Sequence, residues 1–348
     1  MTPSIQIGRV SIGAEYPPFV IAELSANHLG SLARALAIID AAASTGCHAV
    51  KLQTFTPGAM TLDAPSADFQ IAGGPWNGRT LWDLYDEAHT PWEWHEALFA
   101  RAAALGLVVF STPFDEEAVE RLERLGTPAF KIASFELVDH ELIACAARTQ
   151  RPLILSTGMA SDDEVAEALE VARTHGSGAI ALLHCISGYP APIAATNVRR
   201  LEALALHGTV VGISDHSPGS IVPVVAVARG ASIIEKHLTL ARADGGPDAG
   251  FSLEPAEMAA VVDQTRLAWA ALGDGSPQRP AVETANRAFR RSLYVVADIA
   301  PGEPLTRTNV RSIRPSHGLA PRELPTVLGR CARVTIARGT PLAWELIA

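Results

Sequence analysis

The sequence is poor in cysteine and has no concentrated basic segment. Its four cysteines, Cys47, Cys145, Cys185 and Cys331, are widely scattered and form no CxxC pair. That spacing argues against a zinc finger and a disulfide framework, and it favours a reducing cytosol. The formal net charge is −9 at pH 7 without a basic block, so nucleic acid and anionic membranes are poor partners. An anionic substrate is still compatible with this charge, because a few local lysines can outweigh it.

Long apolar runs are also missing. No run approaches the length that crosses a bilayer, and no basic segment followed by an apolar core stands at the N-terminus. We therefore expect neither a membrane span nor a signal peptide. With 348 residues, 48% of them hydrophobic and 19% charged, the composition is typical of a cytoplasmic globular enzyme with one large domain and a small one.

Short apolar runs alternate with amphipathic stretches along most of the chain. The helical stretches include 33–44, 91–105, 115–125 and 162–175, with Asp115 and Ser161 as N-caps and Glu164 completing a capping box. Eight such units predict a (β/α)8 barrel, and the absence of a dinucleotide glycine fingerprint disfavours a doubly wound open sheet. The predicted strands are Phe19–Glu23, Ala49–Gln53, Val108–Thr112, Ala129–Ala133, Leu153–Ser156, Ile180–Cys185, Val210–Ser214 and Ser232–His237.

Two regions depart from this alternation. Residues 54–90, which contain Trp76, are too long for an ordinary connection, so they form either a loop that serves the site or a surface insertion. Glycine and proline in 273–280 predict a linker. We therefore predict a barrel domain over 1–272, a linker over 273–288 and a small, mainly β domain over 289–348. A domain that small is marginal alone, so we expect it to dock on something.

Two histidines mark the predicted rim of the barrel. His216 follows the strand that ends at Ser214, and His237 ends the eighth strand. Functional residues of such barrels cluster at the carboxyl ends of the strands. Two imidazoles at one rim, with carboxylates nearby, can bind one divalent metal that polarises a substrate carbonyl. The alternative is two hydrogen-bonded rim histidines without a metal.

Two lysines lie inside predicted buried strands. Lys51 is followed by Gln53, and Lys131 is followed by Ser134 and Glu136. A buried lysine costs several kcal/mol unless it is paired, so both lysines need anionic partners. Glutamates can supply that partner, and so can the phosphate or carboxylate of a ligand. Lysines beside small hydroxyls form a plausible phosphate site.

Several segments, in order and at sensible spacing, carry a family resemblance over nearly the whole chain. They are IAELSANH at 21–28, VKLQ at 50–53, FSTPFD at 110–115, FKIASFE at 130–136, LSTGM at 155–159 and GISDH at 212–216. With them the chain resembles the sialic acid synthase family of phosphoenolpyruvate-dependent nonulosonate synthases. The C-terminal part is similar to that family's antifreeze-like (SAF) domain, which covers the partner's barrel in a domain-swapped dimer.

Other segments resemble one branch of that family, the pseudaminic acid synthases. They are RTLWDLY at 79–85, DGGPD at 244–248, FSLEP at 251–255 and RRSLYVV at 290–296. Ser187 stands where neuraminate synthases have asparagine, while Gly188 and His317 are unusual even for the pseudaminic branch. The resemblance implies condensation of phosphoenolpyruvate with 2,4-diacetamido-2,4,6-trideoxy-L-altrose and water to pseudaminic acid and phosphate.

The resemblance also implies roles for individual residues. His216 and His237 would bind Mn²⁺, Mg²⁺ or Co²⁺, and Arg314 would reach the partner's site to bind the substrate amide. The expected catalytic residues are Glu23, Lys51, Lys131 and Glu136. The expected substrate-binding residues are Gln53, Thr112, Ser134, Ser156, Ser187, Tyr189, Ser214, Asp248 and Arg314.

Three other functions remain open at this point. The chain could act on a neuraminate- or legionaminate-type precursor, although Ser187 and residues 244–248 argue moderately against that. A metal-dependent aldolase would not need two phosphate-ready lysines and a capping domain. A catalytically inactive carbohydrate-binding protein should have lost metal or lysine positions, and none is missing.

Overall fold

The computed structural model describes residues 3–176, 178–278 and 280–348. The chain forms two compact units, Met1–Gly273 and Asp274–Ala348. Within the described residues, no helix combines the length and the apolar character that crossing a membrane requires.

The first unit is a closed barrel of eight parallel strands, which confirms the predicted fold class. The eighth strand closes it by pairing with both the seventh and the first. In this register, Glu23 lies opposite Lys51 on one side and His237 on the other, so distant polar residues meet at one mouth. The barrel strands are β3 (Phe19–Glu23), β4 (Ala49–Thr54), β5 (Val108–Pro113), β6 (Phe130–Ile132), β7 (Leu153–Ser156), β8 (Ile180–Cys185), β9 (Val210–Ser214) and β10 (Ile233–His237).

Helices follow the barrel strands and bury apolar faces against them. The Asp115 side chain accepts a hydrogen bond from the Ala118 amide, and Ser161 with Glu164 forms the predicted capping box. The helices of the chain are α1 (Leu32–Ser44), α2 (Pro57–Met60), α3 (Leu81–Ala88), α4 (His95–Ala104), α5 (Glu116–Arg124), α6 (His140–Arg148), α7 (Asp162–His175), α8 (Arg200–Ala205), α9 (Ile221–Ala228), α10 (Pro255–Leu272) and α11 (Leu324–Val327).

An N-terminal hairpin, absent from the sequence prediction, precedes the barrel. Its strands are β1 (Ser4–Ile7) and β2 (Val10–Gly13), which pair antiparallel. Ile7 and Ile12 are buried in a cluster with Phe19, which begins β3. The hairpin therefore covers the end of the barrel opposite the mouth.

The second unit is built around a small antiparallel sheet, as predicted for the C-terminal domain. Strand β11 (Ser292–Val295) pairs with β12 (Val310–Ile313), and apolar residues such as Leu293 and Leu342 form its core. Residues 328–336 of this domain make only isolated bridges, at Cys331, Ala332 and Ile336, within the described chain.

Candidate active site

A network of buried charges lies at the mouth of the barrel. The Lys51 ammonium forms a close ion pair with Glu23 and donates a hydrogen bond to Thr112 Oγ1 at 3.1 Å. Lys51 Nζ also lies 4.0 Å from Glu235 Oε1. All these side chains are buried. The glutamate partner that the sequence left as one alternative is therefore present for this lysine.

Glu235 joins the second lysine to the same network. Lys131 Nζ lies 3.7 Å from Glu235 Oε1 and donates to Ser156 Oγ at 2.6 Å. Ser214 donates to the same carboxylate oxygen at 2.9 Å. Glu235 thus connects both lysines, although it was not among the predicted site residues.

Burial and ion pairing shift the pKa values of this network in opposite directions. Burial raises the pKa of Glu23 to about 7, although Lys51 opposes the rise. Burial also lowers the pKa of Lys131, with Glu235 opposing. For Lys51 the two nearby glutamates outweigh burial and raise the pKa. Glu23 is therefore a carboxyl group whose proton is exchangeable near neutral pH.

The two predicted metal ligands lie side by side at the mouth. The ring centroids of His216 and His237 are 5.3 Å apart. Burial lowers the pKa of His216 to about 4 and that of His237 well below its usual range, so both rings are neutral at pH 7. His216 Nδ1 lies 3.2 Å from the Ile186 carbonyl, which can only accept, so the ring donates there and keeps a lone pair on Nε2.

The chemistry of this pair suits a divalent metal. His237 Nδ1 is buried without a hydrogen-bond partner in the described chain, and Asp248 Oδ2 lies 3.9 Å away. No group of three or more His, Cys, Asp or Glu side chains gathers around a metal position among the described residues. A metal on the two imidazoles would have its other positions filled by water and substrate, and an open position for substrate is a feature of catalytic metal sites.

A buried ion pair fastens the segments that carry the imidazoles. Lys236 Nζ donates to Asp215 Oδ2 at 2.7 Å and to the Ser217 carbonyl at 2.6 Å. Asp215 and Lys236 directly precede His216 and His237 in the chain. This pair, which we call the rim clamp, therefore ties the end of β9 to β10.

A second hydrogen-bonded group lies beside His237. Ser25 Oγ donates to Asp248 Oδ2 at 2.5 Å, and Gln53 Nε2 donates to Ser25 Oγ at 2.9 Å. Gln53 and Asp248 were predicted to bind substrate, whereas Ser25 was not. Two strand ends and the loop after β10 meet through this serine.

Two further predicted residues, Ser134 and Ser187, lie around the backbone of Gly158. The Gly158 amide donates to Ser134 Oγ at 3.1 Å. A Cβ at this glycine would lie 2.5 Å from Ser187 Oγ and 2.7 Å from Ser134 Oγ. Glycine is therefore required here for the two hydroxyls to approach the loop after β7. Tyr189, two residues beyond Ser187, packs on His216 with ring centroids 4.5 Å apart.

Two predicted residues stand apart from these contacts. Glu136 follows β6, and burial raises its pKa to about 7, yet it forms no ion pair among the described residues. Arg314 follows β12 in the second unit. There it lines, with Asn286, Phe289, Arg290 and Arg291, a cleft of about 610 Å³. That Arg314 binds the substrate amide in a partner's barrel stays a prediction.

The family comparisons agree with this fold. The NeuB family matches residues 38–277, and the SAF domain matches residues 290–348. The chain therefore belongs to the NeuB family and carries a C-terminal SAF domain.

Particular relatives narrow the class. A pseudaminic acid synthase of Campylobacter jejuni is 42% identical over 97% of this chain and 98% of its own. An N,N'-diacetyllegionaminic acid synthase of Legionella pneumophila is 33% identical over 96% of each chain. The crystal structure of an N-acetylneuraminic acid synthetase from Leptospira borgpetersenii, 32% identical, matches with a TM-score of 0.74 over 82% of this chain and 95% of its own. The protein is an enzyme of this sialic-acid-type synthase class.

Proposed function

We propose that the protein is a pseudaminic acid synthase. In this reaction, C3 of phosphoenolpyruvate attacks the aldehyde carbon of 2,4-diacetamido-2,4,6-trideoxy-L-altrose, water adds at C2, and phosphate leaves. The observation that carries the proposal is the pair of neutral imidazoles beside two buried lysines at the barrel mouth. The 42% identity to a pseudaminic acid synthase supports this sugar over the others of the class.

The lysines and nearby hydroxyls would hold phosphoenolpyruvate. Lys51 and Lys131 converge on Glu235 and supply two positive charges where little water reaches. An ion pair is much stronger in such a place than in bulk water. Thr112, Ser134 and Ser214 add hydroxyl donors for the phosphate and carboxylate oxygens. Holding both ends fixes C3 toward the aldehyde.

Glu23 would accept a proton, or stabilise positive charge, during hydration of C2. With a pKa near 7, its carboxyl oxygen can accept a proton from the attacking water or stabilise positive charge at C2. Lys51, in direct contact with Glu23, favours the charged form. A divalent metal (Mn²⁺, Mg²⁺ or Co²⁺) held by His216 and His237 would polarise the aldehyde oxygen.

The sugar would lie on the outer side of the imidazoles. Asp248 and Gln53, linked through Ser25, can accept and donate hydrogen bonds to its hydroxyls. Tyr189 covers the His216 ring and would pack on the carbon chain. Glu136, Ser156 and Ser187 complete the predicted set.

A panel of sugars tests this function. Phosphate release from phosphoenolpyruvate should be fastest with the altrose derivative and slower with the legionaminate precursor and N-acetylmannosamine. Preference for either of the latter would replace the pseudaminic assignment with that synthase. No phosphate release with any sugar, in enzyme supplied with metal, would favour an inactive carbohydrate-binding protein.

We also propose a domain-swapped dimer in which Arg314 binds the acetamido oxygen in the partner's barrel. Mixing Arg314→Ala chains with Glu23→Ala chains should then restore some activity, because exchanged dimers contain one site without either lesion. Absence of recovery, despite demonstrated subunit exchange, would refute the role in trans.

The four free cysteines are consistent with a cytoplasmic enzyme.

A further inference from the structure

We infer that Trp76 is a specificity-determining residue, whose indole recognises the apolar end of the sugar. This inference rests on the proposed function and concerns the part of the substrate that does not react. It arises from a continuous aromatic surface that begins at the candidate metal ligands and ends at Trp76.

The long connection after β4 presents Trp76 at its tip. Ile71 donates to the Arg79 carbonyl at 2.8 Å, and Gly78 donates to the Ile71 carbonyl at 2.9 Å, so the tip is closed by backbone hydrogen bonds. Trp76 Nε1 donates to the Pro247 carbonyl at 3.0 Å, which fastens the tip to the loop after β10. The half-buried indole is therefore held on the barrel mouth.

Aromatic rings connect Trp76 with the imidazoles. The ring centroid of Trp76 lies 5.6 Å from that of Tyr189, which lies 5.0 Å from Phe251 and 4.5 Å from His216. Phe251 in turn lies 5.0 Å from His237. We call Trp76, Tyr189 and Phe251 the aromatic wall. It borders an open pocket of about 420 Å³ that also contacts Pro75, Pro190 and Pro247.

The direction of the wall determines which sugar atoms meet it. If the aldehyde lies at the imidazoles, the carbon chain can extend along the wall, and C4 to C6 lie nearest Trp76. In the altrose derivative these atoms carry an acetamido group and a methyl group. N-acetylmannosamine instead presents a hydroxyl at C4 and a hydroxymethyl at C6.

An apolar wall favours binding of the altrose derivative and disfavours binding of N-acetylmannosamine. A methylene group in an apolar pocket changes kcat/KM about 10–200-fold, and an added hydroxyl is rejected about 100-fold. Arg79 and Glu87 also line the pocket, but they pair with each other at 2.7 Å. Because Arg79 and Glu87 bind each other, the methyl and acetamido groups would contact the indole instead.

The test compares two sugars across three variants. In Trp76→Ala, the ratio of kcat/KM for the altrose derivative over that for N-acetylmannosamine should fall at least tenfold. The loss should lie mainly in KM for the altrose derivative, because the contact is remote from the reacting carbon. Trp76→Phe, which keeps an aromatic face, should recover much of the ratio. Calorimetry with the altrose derivative alone should show the same order of affinities.

Trp269 provides a matched control. It is also half-buried, and its Nε1 donates to the Ala14 carbonyl at 3.0 Å, before β3 at the opposite end of the barrel. Trp269→Ala should leave the ratio unchanged even if it lowers stability. An unchanged ratio and affinity in Trp76→Ala, with active wild-type enzyme, would overturn the inference. Wild-type enzyme that does not use the altrose derivative would instead contradict the proposed function, and the affinities would still decide the role of Trp76.

Discussion

Breaking the rim clamp should destabilise the barrel strongly. Lys236 is 1% exposed and Asp215 is 5% exposed, so Lys236→Met leaves a buried carboxylate without its ammonium partner. The Ser217 carbonyl loses a donor as well. Methionine keeps a flexible apolar chain, so lost packing contributes little. Removing one partner of a buried pair costs about 3–5 kcal/mol, and we expect a loss in that range.

Urea unfolding at pH 7 measures this loss. The midpoint for the barrel should fall in Lys236→Met, with the slope nearly unchanged. The double variant Lys236→Met with Asp215→Asn removes the unpaired charge and should recover a large part of the stability. Arg101→Met, which breaks an exposed ion pair with Asp40, is the matched control and should have almost no effect. If Lys236→Met were no more destabilising than this control, the clamp would not be what stabilises the rim.

Three further predictions concern the site itself. Lys131→Met should weaken phosphoenolpyruvate binding by about 2–5 kcal/mol, and unchanged affinity in calorimetry would make the lysine structural. His216→Ala should abolish turnover and weaken Mn²⁺ binding while circular dichroism stays native; full activity without metal would refute the metal role. Burial raises the pKa of Glu136 to about 7, above that of an unfolded chain, so its protonation stabilises the folded state at low pH and this stability is lost as pH rises through 7. Glu136→Gln should therefore show a smaller decline in unfolding free energy between pH 5 and pH 8, and an equal decline would contradict the assignment.

The sequence predicted the barrel because buried parallel strands leave a clear pattern. Most of the strands are short, mainly apolar runs that lead into polar residues. The structure has Val210–Ser214 with the predicted bounds, and Phe130–Ile132 one residue shorter at each end than predicted. The polar residues after these runs could be assigned to one mouth, since parallel strands place their carboxyl ends together.

Contacts between distant segments could not be predicted in the same way. Glu235 meets Lys51 and Lys131 only because β10 closes the barrel next to β3. Trp76 is held at the mouth by a hydrogen bond to the carbonyl of Pro247, which lies 171 residues away in the sequence. The N-terminal hairpin was missed because its two strands have four residues each. Such short strands carry little periodic signal.

The rarity of lysine in this sequence would have pointed to the buried charged residues of the barrel. Of 28 basic residues only three are lysines, and all three, Lys51, Lys131 and Lys236, are buried in barrel strands. A lysine ammonium is compact and can turn toward several acceptors, whereas the planar guanidinium of arginine holds its donors in a rigid fork. Lys51 shows the advantage, since its one nitrogen contacts two glutamates and the Thr112 hydroxyl. Arginine in place of Lys51 would keep the charge and lose this geometry, so the shape of the site accounts for lysine at this position.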